Sequence, residues 1–281
     1  MDNIKVLFLG DVYGKAGRKI ISDHLPIIKK KYQLNLIIAN AENTTNGKGL
    51  SWNHYQILKQ AGIDYITMGN HTWFQKQDLE LVLNQVDVIR PLNLMQDFNY
   101  FQLGKGSYLF SLNGLKIRIT NLLGTSINLP FAITNPFVEL KKLVLTKDCD
   151  LHIVDFHAET TSEKNAFCMV FDGYVTAILG THTHVPSNDL RITPKGSVYI
   201  TDVGMCGPGF GSVIGANPKQ SIKLFCTGER QFFEVSNCGA QLNGVFFEVC
   251  SKTNQVVKIE QIRIVLDDEK YLANDYFNLV E

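Results

Sequence analysis

Polar residues of metal-binding type follow directly on five separate apolar runs in this chain of 281 residues. Asp11 comes after Val6 to Leu9, Glu42 and Asn43 after Leu34 to Ala39, and Asn70 and His71 after Tyr65 to Met68. His157 comes after Leu151 to Asp155, and His182 and His184 after Ala177 to Leu179. If these runs are parallel strands, their carboxyl ends share one edge, which is where open α/β folds place ligand sites. Carboxylate oxygen, amide oxygen and imidazole nitrogen, with no thiolate among them, suit iron, manganese or zinc. A ligand set of this size, with Glu42 able to bridge through its two oxygens, exceeds the need of one open catalytic ion, so two divalent metals are expected. Such a pair can hold the attacking and leaving oxygens of an in-line displacement at phosphorus and lower the pKa of a bound water.

Each residue also has a plainer reading. Asp11, in Gly10-Asp11-Val12-Tyr13-Gly14, could cap the next helix. Asn43 and Asn70 could be turn residues, and a lone His71 or His157 could be a hydrogen-bonded structural histidine. Thr181-His182-Thr183-His184 is different, because in an extended segment His182 and His184 point the same way and both imidazoles can reach one cluster. His24, His54 and His152 fall inside predicted helices or strands and read as structural. The run Gly204 to Gly211 lacks the Lys-Ser/Thr ending of a P-loop, and Gly14-Lys15-Ala16-Gly17 lacks the full dinucleotide fingerprint, so both read as structural loops. Cys206 is a nucleophile candidate with no base adjacent in sequence.

The elements that must position these residues follow from the apolar pattern. Short apolar runs alternate with amphipathic stretches at Arg18 to Lys31, Trp52 to Gln60 and Asp78 to Leu83, the rhythm of a mainly parallel sheet. Pro26 is expected to bend the first helix. Lys29-Lys30-Lys31 reads as the solvated end of that helix rather than a phosphate patch. Asn113-Gly114, between Tyr108-Leu112 and Leu115-Ile119, predicts a two-residue hairpin. The chain ends in alternating segments, Gly244 to Val249 and Val256 to Val265, around Thr253-Asn254. With no linker or repeat, residues 1–281 read as one compact α/β domain containing two sheets.

Composition removes several classes of function. Hydrophobic residues make up 45% of the chain, which excludes a disordered or fibrous protein. Lys+Arg 27 against Asp+Glu 27 leaves no net field to hold a long polyanion or an anionic membrane. No stretch reads as a membrane span or export signal. The six cysteines are scattered with no C-x-x-C pair and read as reduced thiols of a cytoplasmic protein.

The order Asp11, Glu42-Asn43, Gly69-Asn70-His71, His157, His182-Thr183-His184 resembles the calcineurin-like metallophosphoesterase superfamily. Three departures stand out: Tyr13 where a His is common, Glu42 where an Asp is common, and Thr72 where an acidic residue is usual. These departures resemble the YmdB-like family, as do Asn40-Ala41-Glu42-Asn43, Gly69-Asn70-His71-Thr72-Trp73, Asp155-Phe156-His157-Ala158-Glu159, Thr161-Ser162-Glu163-Lys164 and Thr201-Asp202-Val203-Gly204-Met205. The resemblance runs from about Ile4 to beyond Val213. It implies an α/β metallophosphoesterase fold, a double β-sandwich flanked by helices. It also implies two divalent metal ions, iron foremost with manganese or zinc as alternatives, and phosphodiesterase action on 2′,3′-cyclic nucleotides. Asp11, Glu42, Asn43 and His184 would serve one metal, and Glu42, Asn70, His157 and His182 the other. His71, with no evident place as a ligand, is expected to be the general acid or a phosphate donor. The alternatives are a phosphomonoesterase and a regulatory metal-binding module with incidental turnover. Expected partners are a small phosphodiester or nucleotide, RNA-derived substrates included, and further copies of the chain, with no membrane.

Overall fold

The computed structural model describes residues 3–229, 232, 234–266 and 276–277. The chain opens with β1 (Ile4–Leu9), the short β2 (Asp11–Val12), α1 (Gly14–Tyr32) and β3 (Leu36–Asn40), followed by α2 (Trp52–Gln60), β4 (Tyr65–Thr67), α3 (Leu79–Leu83) and β5 (Val88–Ile89). Next come the hairpin strands β6 (Ser107–Leu112) and β7 (Leu115–Leu123), then α4 (Pro136–Thr146), β8 (Leu151–His157), α5 (Thr161–Phe171) and β9 (Ala177–Thr181). The remaining elements are β10 (Arg191–Ile192), β11 (Val198–Ile200), β12 (Met205–Cys206), α6 (Pro218–Thr227), β13 (Ala240–Val249) and β14 (Val256–Leu266).

Among the described residues, two six-stranded sheets form, ordered β14-β13-β1-β3-β4-β5 and β10-β11-β9-β8-β7-β6, with β12 paired to β2 apart from them. Strands β1, β3, β4 and β5 run parallel, as do β7, β8, β9 and β11. Antiparallel strands complete both sheets. The layering follows from strands that are apolar on both faces. In β1, Val6 and Phe8 pack with Ile117, Ile153 and Leu179 of the second sheet, whereas Leu7 and Leu9 pack with Ile20, Leu25 and Leu58 of the helices. In β8, Ile153 joins the core between the sheets while Val154 and Phe156 meet Leu140 and Phe167 of α4 and α5. A period-2 strand with two apolar faces must be covered on both sides, and the result is the expected α/β fold of two sheets flanked by helices.

Local chemistry sets the joints. Asn113 and Gly114 take φ of 50° and 82°, the left-handed pair that closes β6 onto β7. Asn135 and Asn217 cap α4 and α6, each accepting from backbone N–H groups with Pro at the first helical position. Helix α1 continues on both sides of Pro26, and its last turn carries the exposed Lys29, Lys30 and Lys31. All six cysteines are free thiols. No helix among the described residues is long and apolar enough to cross a membrane.

Candidate metal centre

The carboxyl ends of the parallel strands from both sheets bring the eight expected site residues together. Asp11 follows β1 across Gly10, Glu42 and Asn43 follow β3, and Gly69-Asn70-His71 follow β4. His157 is the last residue of β8, and His182 and His184 lie just beyond β9. His157 Nε2 lies 3.2 Å from Glu42 Oε1, 2.9 Å from Asn70 Oδ1 and 3.1 Å from His182 Nδ1. His184 Nε2 lies 3.2 Å from Asn43 Oδ1. The His182 backbone N–H donates to Asp11 Oδ2 at 3.2 Å. His71 Nδ1 is 3.1 Å from Glu42 Oε1 and 3.0 Å from Asn43 Nδ2, and its backbone N–H donates to Glu42 Oε2 at 2.8 Å. The cluster packs against the bare Cα of Gly69, where a Cβ would stand 2.2 Å from Glu42 Oε2 and 2.5 Å from His157 Nε2.

The hydrogen bonds around the rings decide which nitrogens face the cluster. Thr181 Oγ1 donates to Asp155 Oδ1 at 2.6 Å and sits 2.8 Å from His157 Nδ1. Its proton being spent on Asp155, the Nδ1–H of His157 must donate to it, which leaves Nε2 as the nitrogen that faces the cluster and takes up a proton or a metal ion there. Nε2 meets the oxygens of Glu42 and Asn70. His182 behaves similarly: Nε2 is 2.8 Å from Glu159 Oε2, so Nδ1 turns its lone pair inward. His184 Nδ1 donates to the Ile214 carbonyl at 2.8 Å, so its Nε2 faces the oxygen of Asn43, whose amide N–H donates to Gly47. Asp11 Oδ1 is buried with no hydrogen-bond partner. Acceptors facing acceptors are satisfied by a cation, and outer partners that fix an imidazole in this way are the usual support of metal-ligating histidines.

The electrostatics of the cluster are dominated by its buried carboxylates. Burial raises the Asp11 carboxyl despite the attraction of His184 and His157. Burial also opposes charge on Glu42 and His157. Their mutual attraction wins, holding Glu42 well below the usual carboxylate range and lifting His157 to about 9. Burial and the neighbouring His157 push His182 down to about 3. The negative potential that draws a proton to His157 is one that a metal cation would satisfy by displacing that proton, while His182, which resists protonation, keeps a ring nitrogen free for the ion. Glu42, His157 and His182 offer ligand atoms within 4.8 Å of one another, a group able to hold a metal ion.

Two sequence expectations need correction. The His182-to-His184 segment is not extended: β9 ends at Thr181, and His182 and His184 take φ of 102° and 67°. Both rings still reach the cluster, because the turn is pinned from outside. Lys164 Nζ donates to the Thr181 carbonyl and to Asp202 Oδ2, each at 2.8 Å, and Asp202 Oδ2 also accepts the Thr183 N–H at 3.0 Å. The same cavity is also lined by Lys48, from the loop after Asn43. Cys206 is no nucleophile: it is buried, its Sγ donates to the Asn243 carbonyl, and burial pushes its thiol up to about 12. The Gly204 to Gly211 run is structural at its start, where Met205 and Cys206 pair with Asp11 and Val12.

Reading the sequence as strands and loops missed Asn40, Asp155 and Thr181, which orient His157, and the pair Lys164 and Asp202. Asn40 Nδ2 donates to Asp155 Oδ2 at 2.9 Å. Their only signal was membership of the same short blocks as the ligands. Tyr13 stands edge-on to the His184 ring at 5.3 Å, and buried Thr72 donates to the Gly69 carbonyl in the turn before His71.

The family described as YmdB-like protein matches residues 7–262. The chain belongs to the YmdB-like family. It is 71% identical over its whole length, and over the whole of the relative, to a Mycoplasma pneumoniae protein named "Putative phosphatase/phosphodiesterase". It is 38% identical, over 95% of the chain and 99% of the relative, to the Bacillus subtilis 2′,3′-cyclic-nucleotide 2′-phosphodiesterase. A crystal structure of a novel phosphatase from Mycoplasma pneumoniae superposes with a TM-score of 0.98 at 71% identity, covering 100% of both chains. At the level of fold alone, the Haemophilus influenzae NAD nucleotidase matches with a TM-score of 0.56 at 15% identity, over 95% of this chain and 56% of that one. This YmdB-like chain therefore shares its fold with a protein well beyond its own family.

Proposed function

We propose that this YmdB-like protein is a metal-dependent phosphodiesterase with two divalent ions, acting on small diesters of the 2′,3′-cyclic nucleotide class. The observation that carries the reading is the convergence of ring nitrogens and oxygens on one point, His157 Nε2 against Glu42 and Asn70 oxygens and His184 Nε2 against the Asn43 oxygen. Glu42, Asn70, His157 and His182 would hold one ion and Asp11, Glu42, Asn43 and His184 the other. Iron is foremost, with manganese or zinc as alternatives. Bound there, the ions supply Lewis acidity that activates water and draws charge from the phosphoryl oxygens. The Glu42 carboxylate would balance the charge of both cations. His71, held by Glu42 and Asn43 and 25% exposed at its side chain, gives a proton to the leaving oxygen. The relatives support hydrolysis of a phosphoester bond, and the Bacillus subtilis relative supports the cyclic nucleotide.

Phosphomonoester hydrolysis is the second reading, favoured by Lys48 in the cavity, since an added cation suits a group with close to two negative charges. Steady-state kinetics with manganese or iron loaded separates the two. A diester preference requires kcat/KM for 2′,3′-cyclic AMP or bis(4-nitrophenyl) phosphate to exceed that for 4-nitrophenyl phosphate. The reverse order over both diesters would replace the diesterase reading by the phosphatase one.

A further inference from the structure

The cavity beside the cluster, about 350 Å³, has two unlike linings. Glu42, Asn43, His71, His182 and His184 supply the polar one, and Val213, Ile214, Leu224 and Phe225 the apolar one. Ile214 joins them. It adopts φ of 46°, a left-handed conformation that is costly for a β-branched residue, and its carbonyl accepts the His184 Nδ1–H. The strained turn thus hangs the apolar segment on a histidine of the polar cluster. A bridge between Val213 and Ala216 closes the turn, and the capped start of α6 fixes the helix that carries Leu224 and Phe225. Phe225 is 81% exposed at this cavity, so packing within the fold does not account for it.

We propose that this apolar lining is a nucleobase platform, on which Phe225 stacks and Leu224, Val213 and Ile214 support the base of a nucleoside 2′,3′-cyclic phosphate whose diester lies on the polar cluster. The proposal rests on the phosphodiesterase reading and names its substrate side. Stacking on an aromatic ring is worth about 1–3 kcal/mol per base and tolerates any base, since each has a π-face. Among the described residues that line the cavity from this apolar segment, Ser221 is the one with a polar side chain, and its hydroxyl donates to the Asn217 carbonyl at 3.2 Å. Purine and pyrimidine cyclic phosphates are therefore both substrates, with the larger purine favoured. The volume suits a mononucleotide, near the lower end of small-ligand cavities.

The test compares 2′,3′-cyclic AMP with glycerol 1,2-cyclic phosphate, which has the same five-membered cyclic diester and no base, on the manganese-loaded protein. Phe225→Ala is expected to lower kcat/KM for the nucleotide roughly tenfold, chiefly through KM, a loss within the range for one stacked base. That loss should be at least fivefold greater than the loss for the glycerol compound, and Phe225→Trp should restore the nucleotide value. Calorimetric binding of adenosine 3′-phosphate and glycerol 2-phosphate should show the same split without turnover. Equal effects on the compounds with and without a base, or no effect of Phe225→Ala, would overturn the platform while leaving diesterase activity intact. If the wild-type protein hydrolyses neither cyclic diester, the phosphodiesterase reading fails and the platform falls with it.

Discussion

Lys164 Nζ lies 2.8 Å from Asp202 Oδ2 with both side chains almost wholly buried, at 1% and 3% exposure. The pair does more than neutralise itself, because the same carboxylate oxygen accepts the Thr183 N–H and the same ammonium donates to the Thr181 carbonyl. Removing one partner of such a pair leaves a buried charge uncompensated and costs about 3–5 kcal/mol. Lys164→Met should therefore destabilise the fold by about that much and weaken metal binding through the His182 turn. Adding Asp202→Asn should recover part of the stability, because the stranded charge is gone, without recovering metal affinity. Urea melts and chelator competition on the two variants measure both effects. Full metal affinity in Lys164→Met would show that the turn holds without the pair.

The hydroxyl of Thr181, between Asp155 and His157, fixes which nitrogen of His157 faces the cluster. Thr181→Val keeps the shape but removes the acceptor for Nδ1–H, so metal affinity should fall about 10–100-fold, as it does when such outer partners are lost. Thr181→Ser, which keeps the hydroxyl, should retain most of the affinity. Competition with a fluorescent chelator reads the difference, and indistinguishable affinities for the Val and wild-type proteins would refute the orienting role.

His71 contacts Glu42 and Asn43 but is the most open of these rings, with 25% of its side chain exposed against 16% for His182. His71→Ala should keep both metals and lose about 10²-fold or more in turnover, the effect of removing a general acid. Nitrophenolate leaves with little need of a proton, so bis(4-nitrophenyl) phosphate should suffer less than 2′,3′-cyclic AMP, whose leaving oxygen is an alkoxide. An equal loss for both leaving groups would reassign His71 to phosphate binding.

His152 supplies a pH test away from the metal cluster. Burial, helped by the nearby Arg118, pushes its imidazole down to about 3, and Thr120 Oγ1 lies 2.9 Å from its Nε2. In the unfolded chain a histidine titrates near 6.5. Above that pH the ring is neutral in both states and adds no pH dependence. As pH falls from about 6.5 towards 3, only the unfolded chain takes up the proton, so stability is lost across that window, by about 2 kcal/mol at pH 5. His152→Gln should therefore lose about 2 kcal/mol less than wild type between pH 7 and pH 5 in denaturant titrations. Parallel pH profiles for the two proteins would contradict a neutral buried ring.

Much of this architecture follows from local sequence. Val6 to Leu9 and Leu151 to Asp155 read as strands because alternating side chains are apolar on both faces, and such strands must be buried between layers. Asn113-Gly114 closes a hairpin because both residues accept the left-handed backbone that the turn needs. Asp11, Glu42, Asn70, His157 and His182 could be picked out because a polar residue directly after a buried parallel strand lies at the sheet's carboxyl edge. Tertiary structure decided the rest, since it depends on groups far apart in the chain. The left-handed path of His182 to His184 departs from the extended reading because Lys164 and Asp202 seize the backbone between them. The proton on His184 Nδ1 is placed by a carbonyl thirty residues further along, at Ile214. Lys48 and Phe225 meet the cluster only because a loop and a helix fold over its edge. Local patterns specify which residues sit at a strand end or a turn, whereas the direction a ring presents is set by its hydrogen-bond partners, and those are assembled only when both sheets are in place.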